Sequence, residues 1–369
     1  DIPLVVLTHR ETGPDTEKPA FWIDANIHAT ELTASMAALY FIQRMVRGYG
    51  QDPQITRILD EQAIYVVPRL NPDGAELALA VPPKFVRSGT RPYPFEDRRD
   101  GLYAEDVDGD GRILQMRMVD PAGDWKVSER DERLMVKRQP GEEGGVYYRI
   151  FPEGRIENYD GHTITLAPAL QGLDFNRNFP GAWRPEGVQR GAGDFPGSEP
   201  EIRAVLEFMA SHNNIFGAIT YHTYSRAILR PYGGRPDDEM DTDDKWVYEA
   251  ITERGTELTG YPAVSVYHHF RYHPKEVITG VFDDWLFDHK GLRHHHRVVG
   301  SCHRGGSGGE EQRQAVHGLV PQASRHGRLQ DPRLRQRTCT RCAGALARVR
   351  PSAARQGRGG RLAHPVLVA

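Results

Sequence analysis

Two side chains that commonly bind metal ions stand three positions apart near the start of the chain. His28 and Glu31 follow an apolar run, residues 21–25, that ends in a polar turn. At helical spacing, both side chains project to the same side. An imidazole nitrogen and a carboxylate oxygen so placed can share a zinc ion, whose third protein ligand must then come from elsewhere in the chain. Because the chain has 16 His, such a pair also arises by chance, and a polar turn without metal is the alternative.

The elements that would position this pair follow from hydrophobic periodicity. Apolar runs predict strands at 4–7, 21–25, 64–67 and 216–221, and helical spacing predicts helices after Glu31, at about 200–212 and at 246–258. Strands that alternate with helices predict a single α/β domain, a mixed sheet with helices on both faces. In such sheets the chemistry lies beyond the carboxyl ends of strands. His28, Asn71 and His222 all follow predicted strands, which favours a shared site.

Composition excludes several function classes. The chain has 369 residues, a net charge of −3 and a mean hydropathy of −0.58, so nothing in its overall charge favours nucleic acid as a partner. No apolar run reaches the length of a membrane span. All three Cys lie after residue 300, so we expect no disulfide framework in the body of the protein. Residues 82–161 are rich in charge, Pro and Gly and predict loops and short strands.

The composition changes abruptly near Lys290. Residues 291–369 contain 15 Arg, no Lys and three acids, a balance of 15 − 3 = +12, which leaves −3 − 12 = −15 for the first 290 residues. All 33 aromatic residues lie before this segment. A segment without large apolar side chains cannot bury enough surface to offset its ordering entropy. We therefore predict a folded domain at 1–290 and a disordered, Arg-rich tail at 291–369.

Five sequence blocks occur in an order that resembles a known family. They span residues 22–31, 71–74, 174–179, 221–233 and 279–285. In this order they resemble the zinc carboxypeptidases of the carboxypeptidase A/B type, over about residues 21–290. The resemblance implies that the chain removes C-terminal residues from peptides or proteins, with zinc as the cofactor. It also favours a secreted or periplasmic location. Because the chain opens on Asp1 rather than Met, we expect that a leader has been lost.

The resemblance also assigns roles to individual residues. It implies that His28, Glu31 and His222 are the metal ligands. Asn176 and Arg177 would bind the free C-terminal carboxylate of the substrate, for which a guanidinium offers a planar fork. Two catalytic roles are implied as well: Arg117 would stabilise the oxyanion of the reacting carbonyl, and Tyr272 would be the mobile tyrosine. A surface salt bridge is the alternative for Arg117, and a packed aromatic ring is the alternative for Tyr272.

One expected residue is missing. The resemblance implies a general-base glutamate a few residues after Lys290, but the sequence has no acid between Asp288 and Glu310. If the codons from Gly291 onward are read one base later, permitted codon choices give the string AFAITTELWD, which contains a glutamate in a strand-like context. We interpret the tail as the product of a shifted reading frame. The literal chain is then expected to lack activity.

Other functions stay open at this stage. Zinc deacylases of the aspartoacylase and succinylglutamate desuccinylase type share a His-x-x-Glu pair and a distant His, and a non-catalytic zinc-dependent peptide-binding module would need no base. Residues 106–111 resemble the start of a calcium loop, but Arg117 stands where that loop needs a bidentate Glu. In the tail, Cys339 and Cys342 suggest a second zinc site, and the Arg content suggests nucleic acid, but both lack a surrounding core.

Overall fold

The computed structural model describes residues 1–273 and 275–290, together with the backbone of 298–305. These residues fall within one compact unit, Asp1–Gly308. The predicted tail at 291–369, with its proposed disorder and its cysteines, lies outside the described residues except for the strand at 298–305.

The described residues contain thirteen strands and seven α-helices. The strands are β1 Val5–Leu7, β2 Ala20–Ala25, β3 Ala63–Val67, β4 Gly101–Ala104, β5 Gln115–Val119, β6 Trp125–Val127, β7 Met135–Lys137, β8 Tyr148–Pro152, β9 Gly154–Glu157, β10 Ile215–Tyr224, β11 Ile228–Arg230, β12 Ala263–Ser265 and β13 Val298–Gly305. The helices are α1 Leu32–Gly48, α2 Pro53–Glu61, α3 Pro72–Leu79, α4 Pro200–Ser211, α5 Thr242–Thr259, α6 Val266–His269 and α7 Phe282–Lys290.

The main sheet has seven strands in the order β1-β3-β2-β10-β13-β11-β12. β2 pairs in parallel with both β3 and β10, and β10 pairs in parallel with β13. β1 and β11 run antiparallel to their neighbours β3 and β13. The predicted mixed sheet is therefore confirmed. Because β2, β3 and β10 are parallel, the residues that follow them meet at one edge of the sheet.

Helices cover both faces of this sheet, as predicted. Trp22 on β2 and Tyr65 on β3 point into one core, which Ile202 of α4 and Trp285 of α7 also enter. Alternate residues of the same strands, such as Ile23, point into a second core built with α1 and α2. Since successive side chains of a strand face opposite ways, the near-continuous apolar composition of β2 and β3 reflects burial on both faces.

Two differences from the sequence prediction concern residues near the site. Residues 71–74, for which the sequence analysis predicted no helix, form the start of α3, because Asn71 caps the helix by accepting a hydrogen bond from the Gly74 amide and Pro72 fits its first turn. The segment that was predicted as loops and short strands folds into two small sheets, β4-β9 and β5-β8-β6-β7. Residues 101–157, from β4 to β9, are called the insertion below, and their strands pair with one another and not with the main sheet.

Candidate metal centre

The turn after β2 directs its polar side chains inward. Asn26 adopts the left-handed region, with φ of 64°, which Asn tolerates better than most residues. Its amide nitrogen donates to the carbonyls of His28 and Ala29 at 2.9 and 3.1 Å. Glu31 follows at the N-cap position of α1 but makes no side-chain capping bond. A capping bond would stabilise α1 by about 1 kcal/mol. Because Glu31 makes no such bond, helix capping does not explain the orientation of its carboxylate.

Glu31 instead meets two imidazoles. Its Oε1 lies 3.1 Å from Nδ1 of His28, its Oε2 lies 3.0 Å from Nδ1 of His222, and the two Nδ1 atoms are 3.1 Å apart. All three residues are buried, with 3, 7 and 2% of His28, Glu31 and His222 exposed. Ligands at about 2.0–2.2 Å from one tetrahedral zinc ion stand roughly 3.3–3.5 Å apart. The two ring nitrogens, each with one oxygen of the same carboxylate beside it, therefore face a common point at which a zinc ion fits with little adjustment.

The other ring nitrogen of His28 is held by a carboxylate. His28 Nε2 lies 3.1 Å from Oδ1 of Asp174, whose Oδ2 accepts from Nε of Arg87 at 2.9 Å. A ring N–H that donates to a carboxylate leaves Nδ1 as the acceptor that a metal needs. Asp174 is buried, and burial alone would raise its pKa, but Arg87, Arg177 and His28 together hold the pKa well below its usual value. Asp174 is therefore a charged partner that fixes the orientation of His28.

Electrostatics in the cluster follow from the same contacts. Burial opposes ionisation of Glu31, but His222 and His28, when protonated, lower the pKa of the Glu31 carboxyl below its usual value. For His28, burial works against the charged ring, yet Asp174 and Glu31 outweigh it and raise the pKa. A bound cation would displace a proton carried by the His28 ring at Nδ1, so metal binding is expected to compete with protonation of that ring.

The arginine at this cluster is Arg87, which the sequence analysis did not select. The Arg87 guanidinium lies 4.0 Å from Glu31 and is 41% exposed, so it reaches both the buried centre and solvent. Arg117 was predicted for the oxyanion role, but it lies on β5 in the separate sheet, over the ring of Tyr148, and donates to the Met135 sulfur. One indication of Arg87 was present in the sequence, because Arg87 is among the basic residues between the block at 71–74 and the insertion.

The predicted carboxylate-binding pair lies beside the ligands. Asp174, which holds His28, also accepts from the backbone N–H of Asn176 at 2.9 Å. Asn176 Oδ1 accepts from the N–H of Phe282 at the start of α7. Arg177 is buried and donates to the carbonyl of Asn176 at 2.6 Å. The turn that carries both residues is thus tied to the metal-ligand candidates through one carboxylate.

Tyr272 lies at the surface, with 68% of the residue exposed. Its ring centroid is 6.3 Å from that of Phe270. Burial opposes the charge of Arg87, but Asp174 and, to a smaller extent, Tyr272 raise the pKa of its guanidinium. The alternative of a packed aromatic ring is therefore wrong. An exposed tyrosine near Arg87 is compatible with the predicted mobile role, which stays a prediction.

A second acidic group lies in the insertion. Carboxylate oxygens of Asp106, Asp108 and Glu153 lie within 4.8 Å of one another. Glu153, from a distant part of the chain, accepts from the backbone N–H groups of Val107, Asp108 and Leu114. The sequence reading of a calcium loop missed Glu153, because 45 residues separate it from Asp108. These carboxylate oxygens order the loop itself through such bonds.

Comparison with known proteins decides the family. The sequence profile described as zinc carboxypeptidase matches residues 1–325. The chain belongs to the zinc carboxypeptidase family. Similar curated relatives include carboxypeptidase A1 of Mus musculus, 25% identical over 68% of this chain and 44% of the relative, and carboxypeptidase A2 of Rattus norvegicus, 26% identical over 78% and 51%. A solved structure, carboxypeptidase A from Helicoverpa armigera, matches with a TM-score of 0.48 and 14% identity, over 82% of this chain and 56% of that one.

The chain spans about half the length of the curated relatives it matches. Family membership confirms the predicted resemblance and identifies the family as one of zinc metallopeptidases. Within the part of the chain that the structure describes, no helix combines the length and apolarity that a membrane crossing requires.

Proposed function

We propose that this chain derives from a zinc-dependent metallocarboxypeptidase that hydrolyses C-terminal residues from peptides. The observation that carries the proposal is the buried cluster of His28, Glu31 and His222, called the metal triangle, in which the two Nδ1 atoms are 3.1 Å apart and each has an oxygen of Glu31 within 3.1 Å. Zinc bound there would polarise the scissile carbonyl and lower the pKa of a bound water. The donor set of two imidazoles and one carboxylate leaves a coordination position for substrate or water.

The proposed roles of the surrounding residues follow from their charge and position. Arg177 and Asn176 hold the free carboxylate of the substrate, since a guanidinium next to an amide donor matches a carboxylate. Arg87 takes the oxyanion role that the sequence analysis gave to Arg117, because its guanidinium is both at the cluster and open to solvent. Asp174 keeps His28 and Arg87 in place, and the exposed Tyr272 takes the role of the mobile tyrosine.

We further propose that the literal 369-residue chain lacks peptidase activity. No acid stands between Asp288 and Glu310, where a general base is expected. Loss of a general base costs about 10²–10⁴-fold in rate. The abrupt change in composition after Lys290, with 15 Arg and no aromatic residue in 79 positions, supports a shifted reading frame as the cause.

The test compares two chains that share residues 1–290. One is the literal chain, and the other is continued in the shifted frame from Gly291. We expect chelator-sensitive release of C-terminal residues from peptides by the frame-corrected chain only. Acyl-amino acids are assayed in parallel, and their preferential hydrolysis would instead indicate the deacylase alternative. Peptidase activity of the literal chain that a chelator abolishes would overturn the proposed inactivity. Sequencing the gene across the codons for Lys290 and Gly291 checks the frame directly.

A non-catalytic role is the second candidate, and the missing base favours it. The metal triangle and the proposed carboxylate-binding pair lie entirely within residues 28–222, before the altered segment. Binding of peptides with a free C-terminal carboxylate, without turnover, and loss of that binding when the peptide is amidated, would support this role.

A further inference from the structure

The proposed chemistry does not use Asp24, a buried residue on β2, the strand that pairs with the His222 strand β10. Asp24 is 2% exposed. Its Oδ2 accepts from the Trp22 indole N–H at 2.7 Å, and its Oδ1 lies 2.6 Å from the Thr220 hydroxyl. Burial raises the pKa of Asp24, although these two bonds oppose the increase. No ion pair within 4.0 Å involves Asp24 among the residues that the structure describes. A buried carboxyl group without a cationic partner costs stability, so stability alone does not account for it.

The sheet itself brings this carboxylate to His222. Thr220 and His222 are two residues apart on β10, so their side chains face the same way. The register pairs Thr220 directly with Asp24 on β2. The Thr220 hydroxyl lies 3.4 Å from Nε2 of His222, a long contact next to the short bond to Asp24. Trp22, Asp24, Thr220 and His222 therefore form a continuous hydrogen-bonded chain on one face of two adjacent strands.

The direction of the bonds in this chain is set at both ends. The indole N–H can only donate, so Oδ2 of Asp24 must accept. At the other end, the contacts with Glu31 and His28 place Nδ1 of His222 in the metal triangle. A neutral imidazole that binds a metal through Nδ1 carries its proton on Nε2. That N–H donates to Thr220, and the Thr220 hydroxyl must then donate to Asp24, which requires the carboxylate as the acceptor.

We propose that Asp24 and Thr220 form a relay that fixes the ring orientation and the metal-binding tautomer of His222. They are positioning residues, as Asp174 is for His28, with a hydroxyl inserted between carboxylate and imidazole. This inference rests on the proposed metal centre. It explains why a carboxylate without a cationic partner is buried between two strands of the main sheet.

The relay predicts the effect of two substitutions. Thr220→Val keeps the shape of the side chain and removes the hydroxyl. In Asp24→Asn, an amide replaces the carboxylate that accepts from both the Trp22 indole N–H and the Thr220 hydroxyl. The amide NH₂ then either faces one of these donors or donates to Thr220, whose hydroxyl turns and donates to Nε2 of His222. Either substitution is expected to weaken zinc affinity by about 10–100-fold, as loss of an outer partner of a metal-binding His typically does. Thr220→Ser retains the hydroxyl and should restore most of the affinity.

Matched controls separate the relay from general destabilisation. Thr252 is buried in α5 and donates to the Tyr248 carbonyl at 2.7 Å, so Thr252→Val makes the same chemical change away from the centre. Glu199 is buried and pairs with Arg91, so Glu199→Gln serves the same purpose for the carboxylate. Thermal unfolding of each variant in excess chelator reports on stability without metal.

The experiment is a zinc titration of the full chain against a competing chromophoric chelator, for the parent and each variant. The relay is supported if Thr220→Val and Asp24→Asn lose affinity, Thr220→Ser recovers it, and both controls match the parent. Equal affinity of Thr220→Val and Thr252→Val would overturn the relay while leaving the metal centre intact. Failure of Thr220→Ser to recover affinity would also overturn it. A parent chain that binds zinc no better than His222→Ala would overturn the metal centre and the relay together.

Discussion

The metal triangle predicts that Glu31→Gln sharply weakens zinc binding while leaving the fold intact. Four-ligand zinc sites bind with apparent free energies of about 10–16 kcal/mol, or roughly 3–4 kcal/mol for each ligand. At about 1.4 kcal/mol for each factor of ten, loss of the Glu31 carboxylate should cost about 10²–10³-fold in affinity. The fold should tolerate the change, because Glu31 makes no capping bond to α1.

One opposing effect has to be included. Glu31 contributes to the raised pKa of His28, so its removal lowers that pKa and favours the neutral ring that binds metal. This gain is confined to pH values at which His28 of the parent is still protonated. It is smaller than the loss of a ligand, and it vanishes as the pH rises above the pKa of His28. The ratio of affinities should therefore widen with increasing pH.

Glu199→Gln is the matched control for this prediction. Glu199 is 3% exposed and pairs with Arg91 at 2.7 Å, so it is another buried glutamate with a basic partner. Zinc at 100 times its dissociation constant should stabilise the parent and Glu199→Gln by about 2.7 kcal/mol, and Glu31→Gln hardly at all. With 16 His and three Cys in the chain, weak additional zinc binding is common to all variants, and only the differences count. Comparable zinc affinity of the two variants would refute the proposed centre.

Three further predictions test the surroundings of the site. Arg177→Ala should weaken binding of a C-terminal peptide carboxylate by about 10–100-fold, as expected for a lost bond to a charged group, whereas Arg117→Ala should have no effect in the same fluorescence titration. Gly280→Ala should lower the free energy of unfolding in urea by well over about 1–2 kcal/mol, which is what a left-handed backbone conformation costs an L-residue. The added Cβ would also lie 2.2 Å from the Arg177 carbonyl oxygen. Gly260→Ala is the control, because Gly260 is also left-handed but has open space around it, so only the backbone strain is measured. Phe179→Ala should cost about 3–5 kcal/mol in the same assay, since this ring is fully buried, and a loss below 1 kcal/mol would contradict the packing described.

The ligand candidates could be predicted from sequence because each depends on local pattern. His28 and His222 follow or end apolar runs that predict strands, and parallel strands place the residues at their carboxyl ends along one edge of the sheet. The register then brings β2 and β10 side by side. Glu31 is fixed relative to His28 by three residues of chain. No long-range information was needed beyond the assumption of a parallel arrangement.

The residues that hold the ligands could not be predicted in the same way. Asp174 is separated from His28 by 146 residues and lies in an irregular turn, so no periodicity connects the two. Thr220 and Asp24 are neighbours because of the register between β2 and β10, and this register cannot be derived from the sequence alone. Arg87 was not selected because it lies in residues 82–161, where a sequence rich in charge, Pro and Gly predicts loops and short strands without fixing their positions in space.

The position of β13 explains how metal binding and catalysis can be separated in this chain. β13 lies between β10 and β11, and its backbone pairs with β10 so that position 303 stands opposite His222. A residue on this strand is thus well placed to serve the metal centre, yet residues 298–305 include no acid. The ligand candidates, Asp174, the relay and the carboxylate-binding pair all come from earlier in the chain. We therefore expect the literal chain to keep metal affinity and to lose turnover, so that zinc binding and peptide hydrolysis respond differently to correction of the reading frame.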